Sequence, residues 1–526
     1  MDLKILFKTA RTATIRVSDG GIYFTKDTYH LFVNGKDHMT VDTVVTTVFD
    51  LKPGTEYVFR IVPGITGCEE VTERSVLAEA SFKTCDENFT VDVKKLGAVG
   101  DGVNDDTEFL QAAIMLCPEG GRVLIPAGRY LTRSLFLKSG INIELAKGSE
   151  LLADTERTHY PALPGCLQSY DEQDELNLGT WEGNPLPMFS GIITGMNVKN
   201  VCIYGQGIID GQASFENWWY DCKRMNIAFR PRLVFLSHCE NVNIQGIKLC
   251  NSPSWTLHPY FSNELGFYNI TVENPFDSPN TDGLDPESCN GVKVYGVKFS
   301  LGDDCIAIKS GKIYMGKKYK TPSENIHVWQ CLMENGHGAV TIGSEMAGGV
   351  KKVTVEECLF RNTDRGLRIK TRRGRGRDAV IDDVIFRSIE MRNVMTPFVV
   401  NAFYFCDPDG KTEYVQSREA FPVDERTPRL GKLVFENIDA ADCHVAAAHF
   451  DGLPEEKIEA IVMKNVRISF AENAKCDVPA MSNGIEKCSK KGIFARNVSK
   501  LVLENVEISG QEGQEIITEN VDSIGS

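Results

Sequence analysis

The chain has 526 residues, 42% of them apolar and 25% charged, with a formal net charge of −15. That acidity argues against general nucleic-acid binding, which needs a basic surface. No window approaches the ~20 consecutive apolar residues of a membrane-spanning helix, and the start, MDLKILFKTARTATIRVSDGG, lacks the apolar core and cleavage site of a secretory signal, so the expected compartment is the cytoplasm.

Residues 1–88 read as a separate all-β module. Short alternating runs at Thr14–Val17, Tyr29–Val33 and Val44–Val48 are divided by Gly, Asp and Asn turn residues. Leu51-Lys52-Pro53-Gly54-Thr55-Glu56-Tyr57-Val58-Phe59-Arg60 resembles the tyrosine corner of fibronectin type III domains, with Tyr57 as the corner residue. The resemblance implies a seven-stranded sandwich. A packing role is favoured for it over carbohydrate binding or dimer contact.

A second unit, residues 89–526, starts at Phe89. Asp105 or Asp106 is placed to cap a helix on which Phe109, Leu110, Ala113, Ile114 and Cys117 share one face. Such a helix would close the open end of a solenoid, where core and strand edge are otherwise bare. Beyond it, β-rich runs recur at Val201–Tyr204, Val242–Ile244, Val292–Val294, Ile326–Val328, Val353–Val355, Leu433–Phe435, Ala460–Met463 and Leu501–Leu503. Asn241, Gly246, Asn290, Gly291 and Gly296 punctuate the corners. The long, irregular period points to an all-β fold, a right-handed parallel β-helix preceded by the small sandwich.

Four longer irregular stretches interrupt the coils: 166–187, 212–229, 313–323 and 403–428. Long loops on a rigid scaffold commonly carry function. Their aromatics Tyr170, Trp181, Trp218, Trp219, Tyr220 and Tyr404 are candidate sugar platforms or packing anchors. The sixteen cysteines show no metal-site spacing and fit free thiols in a reducing compartment. A basic run, Arg365, Arg368, Lys370, Arg372, Arg373, Arg375 and Arg377, suggests a local anion site. Its Arg372–Arg377 half reads equally as a solvated loop.

The chemistry concentrates on Asp282, in Asn280-Thr281-Asp282-Gly283, and on Asp303-Asp304, in Gly302-Asp303-Asp304-Cys305. The two motifs lie 21 residues apart (282 to 303), one turn of a stacked coil. Adjacent strands are about 4.7–4.9 Å apart, so the three carboxyl groups can share one patch, where at least one should hold its proton above the usual range. A protonated acid beside ionised bases is the equipment of glycoside hydrolysis. Consecutive residues on a regular strand face opposite sides, so Asp303 and Asp304 share a cleft only if the backbone turns there, which Gly302 permits.

Taken in order, Asn280-Thr281-Asp282, Gly302-Asp303-Asp304, Gly336-His337-Gly338 and Arg368-Ile369-Lys370 resemble the signature of family 28 glycoside hydrolases, the polygalacturonases. The resemblance implies that Asp303 is the general acid, that Asp282 and Asp304 activate water for hydrolysis with inversion, and that His337 sits near the acid. Arg368 and Lys370, two apart on a strand, would face the substrate carboxylates. Asn280, Lys309, Arg232, His258 and Tyr404 are further candidates for substrate contact, while Asp285 and Glu345 read as turn or scaffold residues. No metal and no cofactor is implied. The partner is an oligogalacturonide or pectic substrate. The long insertions resemble exo-acting members, which release galacturonate from the non-reducing end. An endo-enzyme or a rhamnogalacturonan hydrolase of the same family, a calcium-dependent pectate lyase and a non-catalytic β-helix are the alternatives.

Overall fold

The computed structural model describes residues 1–64, 76–171 and 173–525. Among these, seven strands form the N-terminal sandwich: β1 (Asp2–Lys8), β2 (Ala13–Ser18), β3 (Phe24–Val33), β4 (Lys36–Thr43), β5 (Val45–Val48), β6 (Glu56–Pro63) and β7 (Ala78–Lys83). They pair in the orders β1-β2-β5 and β4-β3-β6-β7, antiparallel throughout. Alternation turns Ile15, Val17, Leu31, Phe59 and Ile61 inward. The Tyr57 hydroxyl accepts a hydrogen bond from the Lys52 backbone N–H at 2.8 Å, the upstream bond that defines a tyrosine corner.

From Thr90 onward the chain enters a parallel β-helix, whose largest sheet has 29 strands. In-register pairing stacks like on like. Leu265, Val292, Ile326, Val353, Val384, Leu433, Ile461 and Leu501 follow one another down eight strands, all buried. Each such side chain contributes about 1.5–3 kcal/mol, so this interior column holds the coils together. Helix α1 (Thr107–Leu116) lays Leu110, Ala113 and Ile114 over the first coils. Its capping differs from expectation. Asp106 is the N-cap and its C=O accepts from Leu110 N–H at 3.0 Å, but its side chain makes no bond to the helix and instead accepts from the Val99 and Gly100 backbone N–H groups at 2.6 and 2.9 Å; the Asp105 side chain accepts from Thr107 N at 3.0 Å. At one corner, asparagines take the left-handed conformation, among them Asn437, Asn465 and Asn505. Their side chains bond rung to rung, Asn465 to Asn437 and Asn505 to Asn465, both at 2.9 Å.

A second parallel sheet starts with Leu135–Phe136, Ile193–Met196, Val234–Ser237 and Leu257–Tyr260. Bridges Leu257–Leu284 and Leu284–Ile306 lead on to Ile306–Ile308, Val340–Ile342, Arg365–Lys370 and Thr396–Asn401. Inward positions are aliphatic (Ile306, Ile308, Leu367, Ile369). The residues between them, Ala307, Lys309, Arg368 and Lys370, face the other way.

The sandwich docks on another corner of the coil. The Phe7 ring stacks on Tyr268 with centroids 4.6 Å apart. The Arg16 guanidinium lies 4.5 Å over Trp329 and donates to Gln330 at 3.0 Å. Close approach is possible because Gly296, at φ 65°, carries no side chain: a Cβ there would lie 2.4 Å from Val45. Gly296→Val is therefore expected to lower stability by about 2–4 kcal/mol through overpacking and left-handed strain, read as an earlier midpoint in denaturant titration.

Candidate active site

The three motifs precede their strands by the same offset. Asp282 stands two residues before Leu284, Asp304 two before Ile306, and Gly338 two before Val340. Successive coils are joined at these positions by Gly283 N–H to Asp304 C=O at 3.0 Å and Cys305 N–H to Gly338 C=O at 2.8 Å. Asp282 and Asp304 therefore sit one above the other. Gly338 leaves room for them, since a Cβ there would meet an Asp304 oxygen at 2.8 Å. The chain bends at Gly302-Asp303 before the strand begins at Ile306, so both consecutive aspartates reach the same hollow, as the sequence requires. One oxygen from each of Asp282, Asp303 and Asp304 lies within 4.8 Å of the others.

A cavity of about 270 Å³ opens over this triad. Asn280, Lys309, His337, Arg368, Lys370 and Tyr404, all named from the sequence, line it. Arg368 donates to one Asp304 oxygen at 3.2 Å and Lys370 to the other at 2.8 Å. Burial alone would raise the Asp304 pKa, but Lys370 and Arg368 overcome it and hold the group far below the usual carboxylate range. Asp282 goes the opposite way: burial, then the charges of Asp303 and Asp285, push it well up. The triad thus combines an ionised carboxylate with a site that retains a proton. His337 is exposed, its backbone N–H bonded to Asp303 C=O at 3.1 Å. A 2.7 Å hydrogen bond to Asp364 raises the imidazole pKa.

Two candidates fall outside the cavity. Arg232 is fully buried, donating to Ser254 Oγ at 2.7 Å, with Trp181 and Trp255 rings 4.7 and 4.3 Å from its guanidinium. His258 is equally buried and pairs with Glu287 at 2.9 Å. Burial, then Arg232 and Lys309, lower the His258 pKa, so the ring stays neutral. Both residues support the wall from behind, and neither can touch a substrate. The Arg372–Arg377 half of the basic run is mostly neither anion site nor solvated loop. Arg372 pairs with Asp407 and Asp409, and Arg373 with Glu455; both guanidinium groups are buried staples that fasten the 403–428 segment. Of the candidate platforms, Trp181, Trp218 and Trp219 are packed inside, whereas Tyr170 and Tyr220 are exposed. Cys68 lies outside the described residues; the fifteen described cysteines are free.

Glu345, read from the sequence as scaffold, lines the cavity. It is hydrogen-bonded by Lys309 at 3.2 Å and Ser344 at 2.9 Å. Glu182, Lys223, Trp255, Ser344, Cys406, Asp407 and Met481 complete the lining; they lie on irregular segments where no spacing marks them. Lys309 is the buried hub, 3.9 Å from Asp282, 3.4 Å from Asp285 and 3.2 Å from Glu345, with Nζ 4.3 Å over the Trp255 ring. Burial would lower its pKa, but Glu345 and Asp285 raise it well above the normal value.

Residues 170–488 match the model of glycosyl hydrolases family 28, and residues 90–144 that of rhamnogalacturonase A/epimerase, pectate lyase-like. The chain belongs to glycosyl hydrolase family 28. A probable polygalacturonase of Vitis vinifera is 30% identical over 403 residues, 74% of this chain and 77% of that protein. The crystal structure of a hyperthermoactive exopolygalacturonase from Thermotoga maritima covers 77% of this chain and 94% of its own at TM-score 0.61 and 26% identity. A family 28 exopolygalacturonase from Yersinia enterocolitica shares the fold over 99% of this chain and 98% of its own, at TM-score 0.70 and 19% identity. Relatives of this chain in the family carry the name polygalacturonase.

Lys309→Met would leave three buried acids without their shared cation. It is expected to cost about 3–5 kcal/mol of stability, measured by denaturant titration.

Proposed function

We propose that the enzyme is an exo-acting polygalacturonase that releases galacturonate, as mono- or disaccharide, from the non-reducing end of (oligo)galacturonate. One observation carries the end-acting reading: Glu182, Lys223, Asp407 and Met481, from four irregular segments, line the same hollow as the three aspartates. Walls of that kind turn a groove into a pocket that admits chain ends. Residues 89–526 are taken as the catalytic unit and 1–88 as a packing module, a division supported by a cavity whose lining, among the described residues, runs from Glu182 onward. Relatives carry both endo- and exo- names, so the family alone does not choose between them.

In the proposed mechanism Asp303 gives its proton to the bridging oxygen, while Asp282 and Asp304 deprotonate the attacking water. Asp282 and Asp303 lie close together, and Asp303, which donates in this mechanism, is the more open of the two to the cavity. Asp304 stays ionised beside Arg368 and Lys370. These two cations also face the substrate side and suit a uronate carboxylate. His337, bonded to the backbone of Asp303, supports the acid. The aspartate oxygens approach more closely than the ~6.5–9.5 Å usual between inverting carboxyl groups, so inversion here rests on the family resemblance and on a set of three acids instead of two.

A lyase reading has one observation in its favour, the compact acidic triad, which could hold a cation. Against it, Asp304 is already neutralised by Arg368 and Lys370.

Incubation with saturated oligogalacturonides and polygalacturonate tests the proposal. Reducing ends should rise while viscosity falls slowly, with mono- or digalacturonate as the first products and the β-anomer first in NMR spectra. Rapid loss of viscosity would make it an endo-enzyme, an initial α-anomer would make it a retaining one, and ultraviolet-absorbing unsaturated uronides would make it a lyase. Asp303→Asn should lower kcat by about 10²–10⁴-fold; full turnover by that variant would remove the acid role.

A further inference from the structure

Four cations line the cavity: Lys223, Lys309, Arg368 and Lys370. Three are committed to protein carboxylates: Lys309 to Glu345 and Asp285, Arg368 and Lys370 to Asp304. Lys223 is exposed and forms no ion pair among the described residues. The acids on its side of the cavity are largely occupied. Glu345 is paired with Lys309, and Asp407 with Lys312 and Arg372; Glu182 lines the same wall without an ion pair to Lys223.

Chain order separates Lys223 from the Arg368–Lys370 pair. Lys223 lies in the segment that leads into the strand Val234–Ser237, two coils before the 284–287 rung that follows Asp282. Arg368 and Lys370 belong to the strand three coils after that rung. The loop of Lys223 is not bound to that order: Glu182, which senses the charge of Lys223, stands next to Gly183, which packs on Glu345 and accepts a backbone hydrogen bond from Lys312 at 2.9 Å. A polyuronate presents one carboxylate per ring, so a bound chain offers more carboxylates than the Arg368–Lys370 pair can take.

We propose that Lys223 is a specificity-determining residue that binds a uronate carboxylate of the substrate from the Glu182 wall of the cavity, in addition to the Arg368–Lys370 pair. This deepens the polygalacturonase reading and rests on it. A long side chain in an inserted loop suits the task, because it adds a charge to the pocket without any buried partner that its removal would orphan.

The test compares wild type, Lys223→Gln and Lys223→Arg on trigalacturonate and on its fully methyl-esterified form, with Kd measured by calorimetry in an Asp303→Asn background. A charge-assisted hydrogen bond predicts a KM and Kd for Lys223→Gln raised about 10- to 100-fold on the free acid, with kcat changed less than about 3-fold. On the ester the variant should match wild type, and Lys223→Arg should recover most of the affinity. Unchanged Kd on the free acid, or an equal loss on acid and ester, overturns the proposal. Thermal unfolding should stay put, since an exposed, unpaired side chain carries little stability; a fallen midpoint accompanying an equal loss on both ligands would assign Lys223 to the scaffold. Internal cleavage by wild type with the carboxylate-dependent Kd effect intact would sink the end-acting reading and still support Lys223.

Discussion

In-register stacking of parallel strands is the constraint on which the rest of this protein depends. Each coil repeats the one before it at about 4.8 Å, so a residue placed at one offset from its strand meets its counterpart from the next coil. Asp282 and Asp304 are such counterparts, joined through the Gly283–Asp304 backbone bond. No loop has to fold back to assemble the acids. The same stacking builds the column of buried aliphatic residues that fixes the register, because a slip of one residue would turn that column outward.

Bringing acids together in this way is electrostatically unfavourable, and the surrounding coils offset it. Arg368 and Lys370 neutralise Asp304 from two coils further on, and Lys309 answers Asp285 and Glu345 from below. Asp282 receives little help: its ion-pair partner Lys309 is 3.9 Å away. Burial and the charge of Asp303 therefore decide its protonation. Behind Lys309, Asp285 and Glu287 are pushed up to about 8 and about 7 by burial. The wall of the site is thus a buried layer in which some acids are paired with cations and others hold protons, and the chemistry takes place where that layer meets solvent.

Much of this was visible in the residues. Short-range patterns survive into the fold because they report on the nearest coil. The β-rich runs, the tyrosine corner at Tyr57, the bend at Gly302 and the shared face of Arg368 and Lys370 all depend on neighbours a few residues away. Arg232 and His258 show where such inference stops. They occur in the coils before Asp282, as expected, but Trp181 folds in from a separate segment and covers Arg232, while Glu287 captures His258. Glu345 was missed for the converse reason. Its local sequence looks like a turn, and only the partner Lys309, 36 residues away, turns it toward the cavity.

The amino-acid sequence by itself determined the coiled all-β architecture, the identity and order of the acidic motifs, and the family, since periodicity and motif spacing are properties of a single strand and its turn. Tertiary structure alone decided which charges are spent on one another and which remain open to a ligand. Arg372 and Arg373 became buried staples, and Lys223 became a lining residue without an ion-pair partner among the described residues. Pairing of charges depends on distances of a few ångströms between segments far apart in the chain, and those distances are set only when the irregular loops pack against the stacked coils.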